Sequence, residues 1–248
     1  MTFSINRATR FVFLLGFFAP SFVCSAQDLF FDAPTTGKNN DTRWISHITR
    51  EGGGFETSVY MANPTATDTS VTIRGYLANG TLIGTHTLEV SAMADRLIPL
   101  VLFFEDQQPS HLAVIGETAA IVTARYRLAD ADGLSAHVSD TAAVGTRFSL
   151  RMGEPDQVFD GVVVVNTSDS PVTIQATLVS DEGLTETLVR ELAPNGKAVA
   201  DLSNRFADAE NSSVLIEADG QVLVTALRGS RPGSDVAVLF ANPVTVVE

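Results

Sequence analysis

The stretch SVTIRGYLANGTLIG, residues 70–84, has a near copy in PVTIQATLVSDEGL, residues 171–184. The match continues on both sides: Asn63 aligns with Asn166, RLIPLVLFF with AVADLSNRF, and AAIVTARYR with QVLVTALRG, always about 102 residues apart. A period of this length is the size of an independent domain and exceeds that of solenoid or propeller repeats. We therefore predict two tandem domains, 43–141 (repeat 1) and 146–248 (repeat 2), after a lead-in at 27–42 whose LFF packs on the first domain.

Each copy has the alternating pattern of half-buried β-strands. In the first, Val71, Ile73 and Leu77 fall on one face and Thr72, Arg74 and Tyr76 on the other. Turn signals such as Asn79-Gly80 and Glu182-Gly183 recur every 8–12 residues. Seven or eight short strands per copy, without a helical segment, predict an all-β fold of two tandem antiparallel β-sandwich domains. The second copy repeats the pattern, with Val172, Ile174, Ala176 and Leu178 inward.

The order strand, Asn-Pro turn, strand, Asn-Gly turn, strand at 59–83 and its copy at 162–184 resemble the immunoglobulin-like modules of exported bacterial proteins. The resemblance implies an immunoglobulin-like sandwich for each repeat. The Cys…Trp…Cys pattern of antibody domains is missing, and the single tryptophan, Trp44, has Phe148 as its nearest counterpart. Because fold does not determine function, the resemblance implies nothing about activity.

Residues 1–26 have the three parts of a secretory signal peptide. Arg7 and Arg10 precede the apolar run at 11–23, and Ser25-Ala26 provide small residues before a cleavage after Ala26. The only cysteine, Cys24, lies inside this segment, so the mature chain is predicted to be exported and free of disulfides. Lipidation at Cys24 is the alternative. The predicted location is periplasmic, cell-surface or extracellular. A transmembrane anchor is not predicted, because the sequence has no second long apolar run.

The net charge of −13 and the pI of about 4.6 argue against nucleic acid as a partner, because phosphate binding needs a basic surface. The same charge argues against an anionic membrane surface. An acidic surface of this kind is typical of a soluble protein.

Few residues have the spacing that catalysis or metal binding needs. The four histidines, His47, His86, His111 and His137, form no HExxH motif, and no GxSxG nucleophile elbow occurs. Asp130, Asp132 and Gly133 resemble the start of a calcium loop, although its third ligand and closing Glu are missing. Asp130 and Asp132 are therefore a calcium candidate beside the alternative of a hairpin turn, and no other cofactor is predicted.

These observations leave three functional hypotheses. The first is an exported, non-enzymatic binding, adhesive or structural module whose partner is a protein or an extracellular polymer, with possible self-association through edge strands. The second is a carbohydrate-binding module, with or without calcium, which needs an aromatic platform that one Trp and three Tyr supply poorly. The third is an enzyme of unrecognised type using His47, His111 or Asp132.

Overall fold

The described chain is built from antiparallel strands. The computed structural model describes residues 42–49, 55–104, 107–116, 118–128, 134–180, 183–206, 212–231 and 238–247. All of these belong to one compact unit, Thr36–Glu248, and the other unit, Met1–Thr35, lies outside the described residues.

Repeat 1 contributes eight strands in two four-stranded sheets. The orders are β1-β6-β3-β4 and β5-β2-β7-β8. A single helical turn, α1 (Leu100–Phe103), follows Pro99, whose restricted φ suits the start of a helix. The strands are β1 (Thr42–Ile45), β2 (Phe55–Asn63), β3 (Thr69–Tyr76), β4 (Leu82–Val90), β5 (Ala94–Ile98), β6 (His111–Ile115), β7 (Ile121–Leu128) and β8 (Ser135–Ser139).

Repeat 2 follows a similar pairing scheme, but its eight strands form one connected sheet, in which β16 also pairs with β9. Its strand β14 is continuous over 18 residues and takes the positions that β6 and β7 have in repeat 1. The first half of β14 pairs with β9 and β11, and the second half with β10 and β15. The strands are β9 (Gly145–Arg151), β10 (Val158–Asn166), β11 (Val172–Ser180), β12 (Gly183–Leu192), β13 (Lys197–Asp201), β14 (Ser213–Ser230), β15 (Leu239–Asn242) and β16 (Thr245–Val246).

Each repeat has its own apolar core, formed by the inward faces of its strands. The predicted inward residues Val71, Ile73, Val172, Ile174 and Leu178 are all buried in these cores. The all-β, antiparallel and sandwich-like character predicted from the sequence is therefore confirmed. Phe148 lies in the second core.

Two predicted side-chain positions differ in the structure. Leu77 was expected inward, but the β3–β4 register shifts between Gly75 and Tyr76, so that β3 ends and Leu77 is only half-buried. Tyr76 was expected on the solvent face, yet it is 6% exposed. It does point away from its own core, and residues of repeat 2 cover it.

Candidate binding site at the junction of the repeats

A third apolar cluster joins the two repeats. Trp44, Tyr76 and Ala113 face outward from β1, β3 and β6 and pack with the outward-facing Val163, Val165 and Leu223 of repeat 2. Burying these side chains removes apolar surface from water and fixes one repeat against the other.

His111 lies inside this cluster between aromatic rings. Its ring centroid is 5.4 Å from that of Tyr76 and 6.1 Å from that of Trp44, with both ring pairs stacked. The side chain is fully buried, and its Nε2 is 2.9 Å from the carbonyl oxygen of Asn195 in repeat 2. Because that oxygen can only accept, Nε2 carries a proton.

Lys197 connects repeat 2 to two segments of repeat 1. Its Nζ is 2.8 Å from Nδ1 of His47 and donates to the carbonyl oxygen of Ser110. The backbone oxygen of His47 in turn accepts from the Tyr126 hydroxyl at 2.7 Å. Lys197 is only 6% exposed, so its charge is carried into the junction and supported by polar contacts.

Burial, together with the charge of Lys197, keeps both histidines uncharged. Burial lowers the pKa of His47 to about 3, and the nearby Lys197 charge, with a smaller contribution from His111, adds to the shift. Burial and Lys197 also lower the pKa of His111 to about 3, against the opposing hydrogen bond to Asn195. Neutral His47 can therefore accept from the lysine ammonium throughout the neutral pH range.

Two turns meet beside Lys197. The Lys197 N–H donates to the Ala78 oxygen at 2.9 Å, next to the predicted Asn79-Gly80 turn. Gly80 has a φ of +88°, and a Cβ on it would lie 2.0 Å from the oxygen of Pro194. Only glycine fits here, because both the backbone conformation and the neighbouring turn exclude a side chain.

An open groove of about 760 Å³ runs along this junction. It carries two cationic side chains, Lys197 and Arg190, although the chain as a whole has a net charge of −13. The remaining lining is mixed polar and apolar: His47, Ile48, Thr49, Leu77, Ala78, Asn79, Gln108, Pro109, Ser110 and Val199. Such a surface is suited to binding a polar or anionic ligand.

The polar contacts of Lys197 join the two repeats. Lys197 contacts the carbonyl oxygen of Ser110, which cannot act as a nucleophile. Among the described residues, no group of three His, Cys, Asp or Glu side chains is placed to hold a metal ion. The arrangement holds the repeats together and shapes the groove.

The predicted site residues have different outcomes. Asp130 and Asp132, the calcium candidate, lie outside the described residues, as does Gly133. Of the four histidines, His47 contacts Lys197 and His111 contacts the nearby Asn195, whereas His86 packs on Phe104 of repeat 1 and His137 is exposed on β8. Lys197 was not singled out from the sequence. Its only signal was its position as a charged residue opening the strand KAVAD after a turn.

Comparison of this chain with protein-family models, with curated protein sequences and with solved structures found no match. Within the described ranges, no helix has the length and apolar character needed to cross a membrane.

Proposed function

We propose that this chain is an exported, non-enzymatic binding protein made of two duplicated, immunoglobulin-like β-sandwich domains. The ligand site is the groove at their junction, and the partner is a protein or an extracellular polymer. The observation that carries the proposal is the pair of cations, Arg190 and Lys197, in a groove shaped by both repeats of an acidic chain.

Strand pairing supports the immunoglobulin-like assignment in part. The second strand pairs with the fifth and the third with the sixth in both that fold and repeat 1, where β2 pairs with β5 and β3 with β6. The first, fourth and seventh strands differ: β1 lies beside β6, β4 beside β3, and β7 beside β2. The assignment therefore rests on the central pairings and the duplicated sequence.

The carbohydrate-binding alternative has less support. Sugar rings stack on exposed aromatic faces, but Trp44, Tyr76 and Tyr126 are each at most 6% exposed. None of the described groove residues is Trp, Tyr or Phe. A polar or charged segment of a polymer fits this lining better than a neutral sugar does.

Two experiments test the proposal. Expression of the full chain in a secreting host, followed by N-terminal sequencing, is expected to give a mature protein beginning at Gln27. Immobilised polygalacturonate, dextran and a peptide array then provide anionic, neutral and protein ligands. We expect binding to at least one of them, weakened about tenfold or more by Arg190→Glu but not by Arg74→Glu, an exposed position in repeat 1. Equal binding by both variants would exclude the groove.

A further inference from the structure

The two repeats differ at the gap between their edge strands. In repeat 1 this gap lies between β4 and β5 and is filled by aromatic side chains. Phe104 is 1% exposed, its ring meets His86 edge-on at 5.0 Å, and Phe103 lies 5.6 Å from the same imidazole. Gly75 provides room for this packing, since a Cβ there would come within 2.6 Å of the Phe104 ring.

Repeat 2 keeps one of these aromatics and replaces the other two by arginines. Phe206 occupies the place of Phe104 and is fully buried. Arg190 pairs with Ile174 as His86 pairs with Ile73, and Arg205 aligns with Phe103. A cavity of about 210 Å³ remains between β12 and β13, with the core residues Val162, Val164, Ile174, Leu202 and Ile216 in its lining.

The size of this cavity indicates its occupant. Sites for small molecules typically measure about 300–1,000 Å³, so this one suits a single large side chain better than a free ligand. Its apolar floor and its position, where repeat 1 places its own aromatics, favour an aromatic side chain supplied from outside repeat 2.

The outer edge of β13, beside the cavity, pairs with no other strand among the described residues. The N–H of Lys197 points to Ala78 of repeat 1, whereas the oxygen of Gly196 accepts from Asn166 of β10. The N–H and C=O groups of successive strand residues alternate in direction. Those of Val199 therefore point to the same side as those of Lys197, away from β10. Val199 is 47% exposed and lines both the cavity and the junction groove. Strand β13 thus has an open edge where an extended chain can be added.

The rim of the cavity is positively charged. Arg190 and Arg205 are exposed, and neither guanidinium has an ion-pair partner among the residues that the structure describes. The nearest carboxylate on β13, that of Asp201, is engaged, because it accepts from the Ser203 N–H and lies 3.3 Å from Arg231. The rim therefore favours carboxylates on the incoming chain.

We propose that repeat 2 binds an extended peptide segment of a partner protein along the open edge of β13. The segment places an aromatic side chain in the cavity and acidic side chains, two residues before and after it, at Arg190 and Arg205. Residues two apart share one face of a strand, so this spacing brings all three side chains to the cleft. The proposal rests on the binding function proposed above and names its partner class.

A blocked peptide, acetyl-Thr-Asp-Val-Phe-Val-Asp-Thr-amide, tests this by calorimetry with the full mature chain. We expect one-to-one binding that weakens tenfold or more when the peptide's Phe is replaced by Ala or its two Asp by Lys. The Arg190→Gln, Arg205→Gln double variant is expected to bind the Phe peptide tenfold or more weakly. Arg74→Gln is expected to bind it with unchanged affinity. Equal affinity for the Phe and Ala peptides, or no binding at all, would overturn the proposal.

Val199→Pro tests the strand pairing itself. Proline removes the outward N–H without removing a bond to β10, so the fold is expected to survive while peptide affinity falls at least tenfold. Val199→Thr keeps the N–H and is expected to bind normally. If Val199→Pro does not fold, Ala176→Met, which fills the cavity from its lining, is expected to block the peptide instead.

The outcomes separate the two proposals. Binding to the polymer panel that depends on Arg190, without binding of the Phe peptide, overturns the peptide site and leaves the groove function standing. A concentration-dependent dimer in light scattering that Val199→Pro converts to a monomer would make the occupant a second copy, and would also overturn the peptide proposal.

Discussion

The Nζ atom of Lys197 in repeat 2 lies 2.8 Å from Nδ1 of His47 in repeat 1. This contact places a buried cation against a neutral imidazole. The Lys197 charge also lowers the pKa of His111, a second neutral histidine in the junction. Protonating either ring would set like charges against each other within the junction. The stability of the junction is therefore coupled to pH.

We predict that the protein is destabilised by mild acid through His47 and His111. Their pKa values are lowered from 6.5 to about 3, so the unfolded chain binds more protons between these values. The stabilisation is complete above about pH 6.5 and is lost as the pH falls towards 3, with an upper value of roughly 3–5 kcal/mol for each histidine. Denaturant unfolding at pH 7.5, 5.5 and 4 measures it.

Matched variants assign the effect. His47→Asn retains an acceptor for Lys197, and His111→Gln retains a donor for Asn195, but neither titrates. In the double variant, the free energy of unfolding is expected to change clearly less with pH than in the wild type. His137→Gln, on the exposed face of β8, is expected to leave the pH dependence unchanged. Burial raises the pKa of Asp140 to about 6 despite Arg43, and Asp140 acts in the opposite direction between about pH 4 and 6. An unchanged slope in the double variant would contradict the assignment.

Gly80→Ala is predicted to loosen the junction more than its backbone strain alone explains. The φ of +88° costs an alanine about 1–3 kcal/mol, and its Cβ would also clash with the Pro194 oxygen. Gly183→Ala is the control, because its φ is +108° with open space around it. Fluorescence of the single tryptophan, buried at the junction, reports the change. Equal unfolding midpoints and equal Trp44 emission for both variants would count against the turn contact.

The sequence predicted the cores of the repeats but not the surface between them. The alternation along β3 predicts that Ile73 points inward, and Ile73 is buried in the core of repeat 1. Tyr76 has the same outward position in the alternation as Arg74, but it is buried by packing with Trp44 and His111 and with residues of repeat 2. Lys197 was missed for the same reason: its partners are about 87 and 150 residues away, and nothing in its neighbourhood indicates them.

Leu77 shows a second limit of pattern reading. The alternation of β3 continues through Leu77 in the sequence, but a register shift at Gly75 interrupts the pleat one residue earlier. A glycine inside a strand often marks such an irregularity, but a count of alternating apolar positions passes over it. Asn63 and Asn166 show the reverse case, in which an aligned pair of turn residues proved to be buried.

Asn63→Ala and Asn166→Ala are predicted to lower the free energy of unfolding by the same amount, about 3 kcal/mol each. The Nδ2 of Asn63 lies within 3.2 Å of three backbone oxygens, and its Oδ1 accepts from the N–H and hydroxyl of Thr65. Asn166 repeats all five contacts, with Ser168 in place of Thr65. Alanine would leave buried carbonyls unsatisfied at both positions.

Asn79→Ala is the control for this pair, because Asn79 is exposed and, among the described residues, its side chain accepts one hydrogen bond, from the Thr81 N–H. Its expected cost is within about 0.5 kcal/mol. Chemical denaturation of the three variants measures the differences. A cost for Asn166→Ala several times that of Asn63→Ala would show that the two motifs are not energetically equivalent.

Asp160→Asn is predicted to be among the most destabilising substitutions in repeat 2. The Asp160 side chain is fully buried and accepts from the Arg228 Nε at 2.7 Å, the Gly153 N–H at 2.8 Å and the Asn242 amide at 3.1 Å. Asparagine keeps the shape but leaves the Arg228 charge, 18% exposed, without its counter-ion. Breaking one side of a buried pair costs about 3–5 kcal/mol.

The exposed pair between Arg147 and Glu217 supplies the comparison for Asp160. Both side chains are nearly half exposed, so Glu217→Gln is expected to change the free energy of unfolding by less than about 1 kcal/mol. Urea unfolding at pH 7.5 and at high salt distinguishes the pairs, since salt screens the exposed one and scarcely affects the buried one. If Asp160→Asn unfolds at the wild-type urea concentration, the Asp160 network does not stabilise repeat 2, and the buried contacts around Arg228 must be tolerated without the carboxylate.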